Sequence, residues 1–183
     1  MRRREAVQFL GAAIAMQFVP RNAQALLELG HRLHREIGDV PFRTLNPAQQ
    51  KLVTQIAEMI IPETDTPGAT SVKVPEFIDL ILTEWATEEE KAAFLAGLAD
   101  IDVQSVAAGS PRFLDLPEAK RGEFLTGLDA KRPAKAGAAH AFERIKALTV
   151  YGYFTSEPVQ VNILKTQMFF NGYDGNVPFT PRV

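Results

Sequence analysis

The chain has 183 residues, a formal net charge of −2 and 46% hydrophobic residues, which is enough for one domain with a core of its own. This near-neutral charge gives no indication of nucleic-acid binding. The absence of cysteine excludes disulfides, thiol nucleophiles, zinc–thiolate sites, iron–sulfur ligation and covalent haem attachment in this chain. Metal centres of these kinds, if they take part in its function, belong to a partner.

The first 25 residues have the layout of an export signal. Arg3 and Arg4 precede a moderately apolar run over residues 6–19, and a small-x-small pattern follows at residues 23–25. The arginine pair resembles a twin-arginine leader, which predicts a periplasmic location or one at the periplasmic face of the inner membrane. A basic, amphipathic N-terminal helix is the alternative interpretation. In both cases residues 26–183 are predicted to form one domain.

Apolar residues at helical spacing, with capping residues before them, predict a succession of helices. No segment alternates in the manner of a strand, so the predicted fold is all-α, with long Pro/Gly-containing loops and a non-helical C-terminal tail. The last long helix is predicted to end near Tyr151, with breaks at Gly152 and at Thr155–Ser156, and Ser156 is predicted to cap a further helix. The predicted helices begin near Leu26, Pro47, Val74, Glu88, Pro117 and Ala138.

A polar loop separates the helix that begins at Pro47 from the helix that begins near Val74. Pro62 ends the first of these helices, because proline lacks an amide proton and disfavours helix in the residue before it. Glu63 and Asp65 can be read as an acid/base pair, but no histidine or nucleophile accompanies them. Asp65 ahead of Pro67-Gly68 is better explained as a turn in which the carboxylate bonds nearby amides. Such a loop is either a strut or a binding surface.

Candidate metal ligands are few. Glu28 and His31 form one Glu-x-x-His pair, with His34 one turn further, whereas a di-iron bundle uses two such pairs and two more glutamates. A solvent-exposed face is the simpler interpretation for these histidines, and His140 is interpreted as a helix-surface residue. The run Gly172–Gly175 has no helix after it and is a turn rather than a phosphate loop.

Seven of the sixteen aromatic residues (12 Phe, 3 Tyr and 1 Trp) lie in the last 33 positions. Core packing explains some of them, and Phe169 is assigned to the core. Tyr173, Val177 and Phe179 stand among Gly, Asn and Pro in a non-helical tail and are interpreted as a docking surface, since interfaces favour such anchors. The seven aromatic residues are Tyr151, Tyr153, Phe154, Phe169, Phe170, Tyr173 and Phe179.

Three segments, in this order, resemble the gluconate 2-dehydrogenase subunit 3 family. They are IPETDTPGA (Ile61–Ala69) with the following VPEFIDLIL and Trp85, GYFTSE (Gly152–Glu157), and GYDGNVPF (Gly172–Phe179). The resemblance extends from about Leu45 to the C-terminus. Members of this family are small accessory subunits of membrane-associated or periplasmic flavin dehydrogenases that act on sugars and sugar acids.

The resemblance implies a subunit that carries no cofactor and is bound to a large subunit of the glucose–methanol–choline (GMC) flavoprotein type. That large subunit holds FAD, sometimes with an iron–sulfur cluster, and a cytochrome c is the implied electron acceptor. The small subunit is implied to stabilise the large one and to carry it through the twin-arginine pathway. No catalytic, cofactor-binding or metal-binding residue is therefore expected in this chain. A free-standing helical adaptor or maturation chaperone for a redox enzyme is the alternative.

The family's motifs place the predicted partner contact, or the loops that shape it, on three segments, while Arg3 and Arg4 are the predicted export-signal residues. The predicted contact residues are Pro62, Thr64, Asp65, Pro67, Gly68, Gly152, Tyr153, Phe154, Thr155, Ser156, Gly172, Tyr173, Asp174, Gly175, Val177 and Phe179.

Overall fold

A computed structural model describes residues 42–165 together with Gly30. Regular structure in this part of the chain is entirely helical, so the all-α prediction is confirmed. Two short 3₁₀ helices, Val106–Ala108 and Phe113–Asp115, and a π-helix, Val159–Ile163, accompany the α-helices. The described α-helices are α1 (Pro47–Ile60), α2 (Val74–Glu84), α3 (Glu88–Ser105), α4 (Glu118–Asp129) and α5 (Gly137–Thr155).

Capping side chains define the starts of α1 and α3, as the sequence predicts. The Asn46 carboxamide oxygen accepts hydrogen bonds from the amides of Ala48 and Gln49, and the Gln49 side chain accepts one from the Asn46 amide. Thr87 and Glu90 form the same reciprocal capping box at α3. Each box satisfies helix amides that have no partner within the helix.

Helix α5 is the central element, since it packs against α1, α2, α3 and α4. Twelve of its 19 residues are buried, which leaves it almost no solvent face. Its approach to α3 depends on Gly97, where an added Cβ would lie 2.7 Å from the Cβ of Ala141. The buried faces of α1 to α4 join α5 in one continuous hydrophobic core.

The described part of helix α5 extends past its predicted end. Glycine normally weakens a helix, yet α5 continues through Gly152 to Thr155. At Gly152 an added Cβ would lie 2.8 Å from the Phe77 ring, so tertiary packing requires the missing side chain. Ser156 does not cap a following helix, because its hydroxyl donates backwards to the Tyr153 carbonyl at 2.7 Å. The predicted break at Gly152 and the predicted side-chain cap by Ser156 were therefore wrong. The break predicted at Thr155–Ser156 is confirmed, since α5 ends at Thr155 and a further helical segment follows Ser156.

Charged groups connect the end of α4 and the linker that follows it to α5. Lys146 donates to Asp129 at 2.8 Å, and the Glu143 carboxylate accepts from the Ala134 amide at 3.1 Å. Partial burial opposes ionisation of Asp129, but hydrogen bonds and charge from Lys146 and Arg132 hold its pKa below the ordinary value. His140, predicted to lie on the surface, is partly buried, with its Nδ1 3.0 Å from the Ala134 carbonyl oxygen.

Gly30 lies against the C-terminal end of α5. It is helical and buried, and an added Cβ would lie 2.4 Å from the Cβ of Thr155. Burial raises the pKa of the Tyr151 phenol to about 12, because it outweighs a hydrogen bond with the Gly30 backbone, which lowers this pKa. The remainder of the helix predicted to begin near Leu26 lies outside the described residues.

Candidate functional site

The loop between α1 and α2, residues 61–73 (hereafter the α1–α2 loop), is closed by its own main-chain hydrogen bonds. At its base the Ala69 amide donates to the Ile61 carbonyl at 2.9 Å. At its tip the Thr64 amide donates to the Thr66 carbonyl at 3.0 Å. The two bonds give a polar loop a defined backbone path, which a flexible connection between helices lacks.

A carboxylate from α1 holds the two sides of this loop together. One oxygen of Glu58 accepts a hydrogen bond from the Glu63 amide at 2.9 Å, and the other accepts one from the Thr70 amide at 3.0 Å. Partial burial alone would raise the pKa of Glu58, but hydrogen bonds from the side chain and amide of Thr70 and from the Glu63 amide hold it below the ordinary value. The amide donors of the loop therefore favour the ionised form of the Glu58 carboxylate.

Gly68 leaves room for that carboxylate. An added Cβ at Gly68 would lie 2.3 Å from Oε1 of Glu58 and 2.7 Å from the amide nitrogen of Glu63. The backbone of Gly68 is not left-handed, so the requirement is for space rather than for an unusual φ. The left-handed residue of this loop is Lys73, with φ 58°, at the N-terminal end of α2.

Tyr153 joins the motif in α5 to the motif in the α1–α2 loop. Its side chain is buried, and its hydroxyl donates to the Pro67 carbonyl at 2.8 Å. The ring packs edge-on against Phe154, with 5.3 Å between the ring centroids. Two of the three segments that resemble the family are thus in direct contact in the folded chain.

Burial divides the predicted contact residues into two groups. The exposed group lies on the α1–α2 loop, whereas the buried group comprises Gly68 beside Glu58, Tyr153 bonded to the Pro67 carbonyl, and three further residues at the C-terminal end of α5. The exposed residues are Pro62, Thr64 and Asp65. Partly buried are Pro67 and Phe154. Buried are Gly68, Gly152, Tyr153, Thr155 and Ser156. Outside the described residues lie Gly172, Tyr173, Asp174, Gly175, Val177 and Phe179, as do Arg3, Arg4 and Phe169.

The predicted role of Asp65 in the turn was wrong in one respect. Asp65 accepts a hydrogen bond of 3.0 Å from the Thr64 hydroxyl, while the carboxylate that bonds the loop amides is Glu58. Glu63 and Asp65 are both exposed on the loop. This exposure gives neither of them the desolvated surroundings that tune a carboxyl for acid/base chemistry.

The described part of the chain also bears on metal binding and on membrane insertion. Residues 42–165 contain no group of three or more His, Asp or Glu side chains placed to hold a metal ion. Glu28, His31 and His34 lie outside the described residues. Over the range that is described, no helix combines the length and the hydropathy that crossing a bilayer requires.

Two carboxylates with structural roles were missed by the sequence analysis. Glu58 lies in the last turn of α1, where the helix dipole disfavours an anion unless donors are supplied. Asp79 interrupts the apolar run of α2 and is buried, which is costly unless the charge is hydrogen-bonded. It accepts bonds from the amides of Arg43, Thr44 and Leu45 at 2.7 to 3.1 Å. In both cases the available sequence signal was an acidic residue where the local pattern disfavours one. Glu58 stands at the C-terminal end of a helix, and Asp79 stands within an apolar run.

Comparison with known proteins identifies a family. The family model described as gluconate 2-dehydrogenase subunit 3 matches residues 47–172. No curated protein and no solved structure matches the chain. The matched range includes the α1–α2 loop, all of α5 and the first residue of the GYDGNVPF motif.

Proposed function

Because the chain belongs to the gluconate 2-dehydrogenase subunit 3 family, we propose that it is the small, non-catalytic subunit of a sugar-oxidising dehydrogenase complex. The family match over residues 47–172, more than half of the chain, is the observation that carries this proposal. The family description identifies a subunit, so its function is exercised together with a dehydrogenase catalytic subunit.

The proposed partner is a GMC-type flavoprotein that oxidises a hydroxyl group of a sugar, sugar acid or glycoside. FAD in that large subunit supplies the redox chemistry, and a cytochrome c accepts the electrons. The chain lacks cysteine, so an iron–sulfur cluster held by thiolates or a haem held by thioether bonds belongs to another subunit. The proposed role of this chain is to bind and stabilise the flavoprotein.

The exposed tip of the α1–α2 loop is the proposed contact surface. Support comes from the way the loop is held, with Glu58 bonded to the amides on its two sides and Tyr153 bonded to the Pro67 carbonyl. A surface whose conformation is fixed before binding loses less conformational entropy on association than a flexible one. These hydrogen bonds are the supports that a preformed docking loop requires.

Export is the second part of the proposal. Residues 1–25 act as a twin-arginine leader that brings the small subunit, with its bound partner, to the periplasm. Support comes from the sequence, where Arg3 and Arg4 precede an apolar run and a small-x-small pattern. Replacement of both arginines by lysine is expected to retain the complex in the cytoplasm, which fractionation of cells measures directly.

Co-expression with the large subunit tests the complex. The flavoprotein is produced with this chain, and an affinity tag on this chain is used for purification. We expect a yellow, stoichiometric complex that reduces a dye in the presence of sugar. A colourless chain recovered alone, with a flavoprotein that is soluble and active without it, would instead support an adaptor or maturation chaperone that releases its client.

A further inference from the structure

The outer face of α3, opposite the side that packs on α5, is apolar along its length. Buried residues that include Phe94, Leu98 and Ile101 form the inner face. Every exposed residue between positions 92 and 107 is alanine or valine, whereas a helix face in water normally carries charged and polar side chains. The exposed residues are Ala92, Ala93, Ala96, Ala99, Val103, Val106 and Ala107.

Five of these residues, with Glu89 before them, have the spacing of a surface on which two helices pair. Steps of three and four residues alternate from Glu89 to Val106, so the side chains lie in one row along about 25 Å of helix. Val103 and Val106 are 67% and 61% exposed, more than the other exposed large hydrophobic residues of the described chain. Contiguous apolar surface of this kind marks an interaction site. The row, hereafter the α3 seam, is Glu89, Ala92, Ala96, Ala99, Val103 and Val106.

The α3 seam is complementary to a second copy of itself when the two α3 helices run antiparallel. A two-fold axis midway between positions 97 and 98 sets position 92 opposite 103, position 96 opposite 99, and position 89 opposite 106. Val103 of one copy then packs against Ala92 of the other, so a larger side chain faces a smaller one. In a parallel pair each position would face its own copy, and valine would meet valine while alanine met alanine.

The two ends of the α3 seam carry opposite charges that have no salt-bridge partner among the described residues. Glu89 is exposed at the start of α3. Lys120 is exposed at the other end, where its Nζ lies 3.7 Å from the position that a Cβ at Gly109 would take. Long side chains in a helix lean toward its N-terminus. In the antiparallel pair Glu89 therefore extends toward Lys120 of the second copy, and symmetry repeats this pair on the other side of the axis.

We propose that the outer face of α3 is a self-association surface, on which a second copy of this chain docks in the antiparallel direction about a two-fold axis. The apolar side chains of the α3 seam become buried between the two helices, and Glu89 of each copy pairs with Lys120 of the other. Alanine at the centre of the seam lets the two helix backbones approach closely. The α1–α2 loop belongs to other elements of the chain, so the proposal does not rest on the function proposed above.

The mass of the full chain in solution tests self-association. Analytical ultracentrifugation at rising protein concentration is expected to show twice the monomer mass of 20.2 kDa. Ala99→Glu places two like charges beside the axis and is expected to weaken the dimer by about 30-fold or more. Ala48→Glu on α1 is the matched control, because Ala48 is also exposed and lies outside the α3 seam, and it is expected to associate like the wild type. A wild-type chain that stays monomeric would overturn the proposal.

Charge reversal tests the pairing of the two ends. Glu89→Lys and Lys120→Glu are each expected to weaken the dimer by about 5-fold or more, because two salt bridges are lost by symmetry. The double variant is expected to recover the wild-type affinity, since it rebuilds both pairs with the charges exchanged. A double variant as weak as the two losses combined would overturn the proposal.

Disulfide formation tests the direction of the two helices. The chain has no native cysteine, so a mixture of Ala92→Cys and Val103→Cys chains is expected to give a cross-linked dimer that contains one of each. Ala92→Cys alone is expected to stay uncross-linked, because its two copies lie about 16 Å apart along the helices. Cross-linking of Ala92→Cys with itself would show a parallel pair and overturn the proposal. The proposal would also be overturned if Ala99→Glu weakened binding of the large subunit while the wild-type chain alone was monomeric, since that subunit would then occupy this face.

Discussion

The hydroxyl of Tyr153 donates a 2.8 Å hydrogen bond to the main-chain carbonyl of Pro67, across 86 positions in the sequence. Tyr153 belongs to α5, the described helix with the largest number of buried residues, and Pro67 lies near the middle of the α1–α2 loop. The bond therefore fixes the loop to the core. The exposed tip takes its orientation from a residue that a partner cannot reach.

Replacement of Tyr153 by Phe tests this connection. The Pro67 carbonyl loses its donor while the ring keeps its packing, so the free energy of unfolding is expected to fall by about 1 kcal/mol. Urea denaturation measures the change. Thr64→Val removes a hydroxyl from the exposed loop tip and is expected to change the free energy of unfolding by less than about 0.5 kcal/mol. Equal effects of the two substitutions would show that the Tyr153 bond does not brace the loop.

Gly68→Ala is expected to displace Glu58 from the loop, because the new methyl group would overlap its carboxylate. Circular dichroism should show nearly unchanged helix content, while gel filtration with the large subunit shows a weaker complex. Pro67→Ala is the matched comparison, since it relaxes the same turn without filling the space and costs about 0.4–1 kcal/mol. If the complex forms normally with Gly68→Ala, the conformation of this loop does not determine the interface.

Gly152→Ala is expected to be destabilising although alanine favours helices. The added methyl group would lie 2.8 Å from the Phe77 ring in a filled core, and overpacking of this kind costs about 1–3 kcal/mol. Gly127→Ala in α4 is the control, because among the described residues nothing beyond its chain neighbours and the backbone of its own helix lies within 4 Å of the position that its methyl group would take. That variant is expected to gain up to about 1 kcal/mol from helix propensity. Thermal unfolding of both variants gives the comparison, and stabilisation by Gly152→Ala would contradict the proposed packing constraint.

Glu58 gives the loop a dependence on pH. Its pKa in the folded chain lies below the ordinary value of 4.5. Its contribution to stability is therefore complete above the unfolded-state pKa and is lost as the pH falls through the folded-state pKa. Unfolding free energies measured between about pH 6 and pH 3 should fall less steeply for Glu58→Gln than for the wild type.

Glu123→Gln is the control for this titration, because Glu123 is exposed on α4. It is expected to keep the wild-type dependence on pH. Identical slopes for Glu58→Gln and the wild type would show that the carboxylate does not stabilise the loop through its ionised form.

Much of the described fold could be predicted from local signals. Asn46, Thr87 and Pro75 mark the starts of α1, α3 and α2 because capping and proline geometry depend on residues only a few positions apart. The end of α5 could not be predicted in the same way. Gly152 is tolerated there because of the Phe77 ring, a contact between distant parts of the sequence.

In the candidate site, too, local features could be predicted from the sequence and contacts between separate elements could not. Proline and glycine in the α1–α2 loop indicate a turn, and the prediction of a structured polar loop there needs nothing more. The carboxylate that braces the loop was assigned to Asp65, the nearest acid, whereas Glu58 reaches it from the preceding helix. Hydrogen bonds of this kind depend on how an element folds back on its neighbour, which spacing alone does not specify.

The packing of Gly30 against Thr155 has a consequence for the order in which the chain folds. The two positions are separated by 155 − 30 = 125 residues. At synthesis rates of about 5–20 residues per second, about 6–25 s pass between the appearance of one and the appearance of the other. During that interval the segment that carries Gly30 has left the ribosome without the helix against which it finally packs. A factor that binds the N-terminal region as it leaves the ribosome can therefore bind before α5 exists, when packing against the core does not yet compete with that binding.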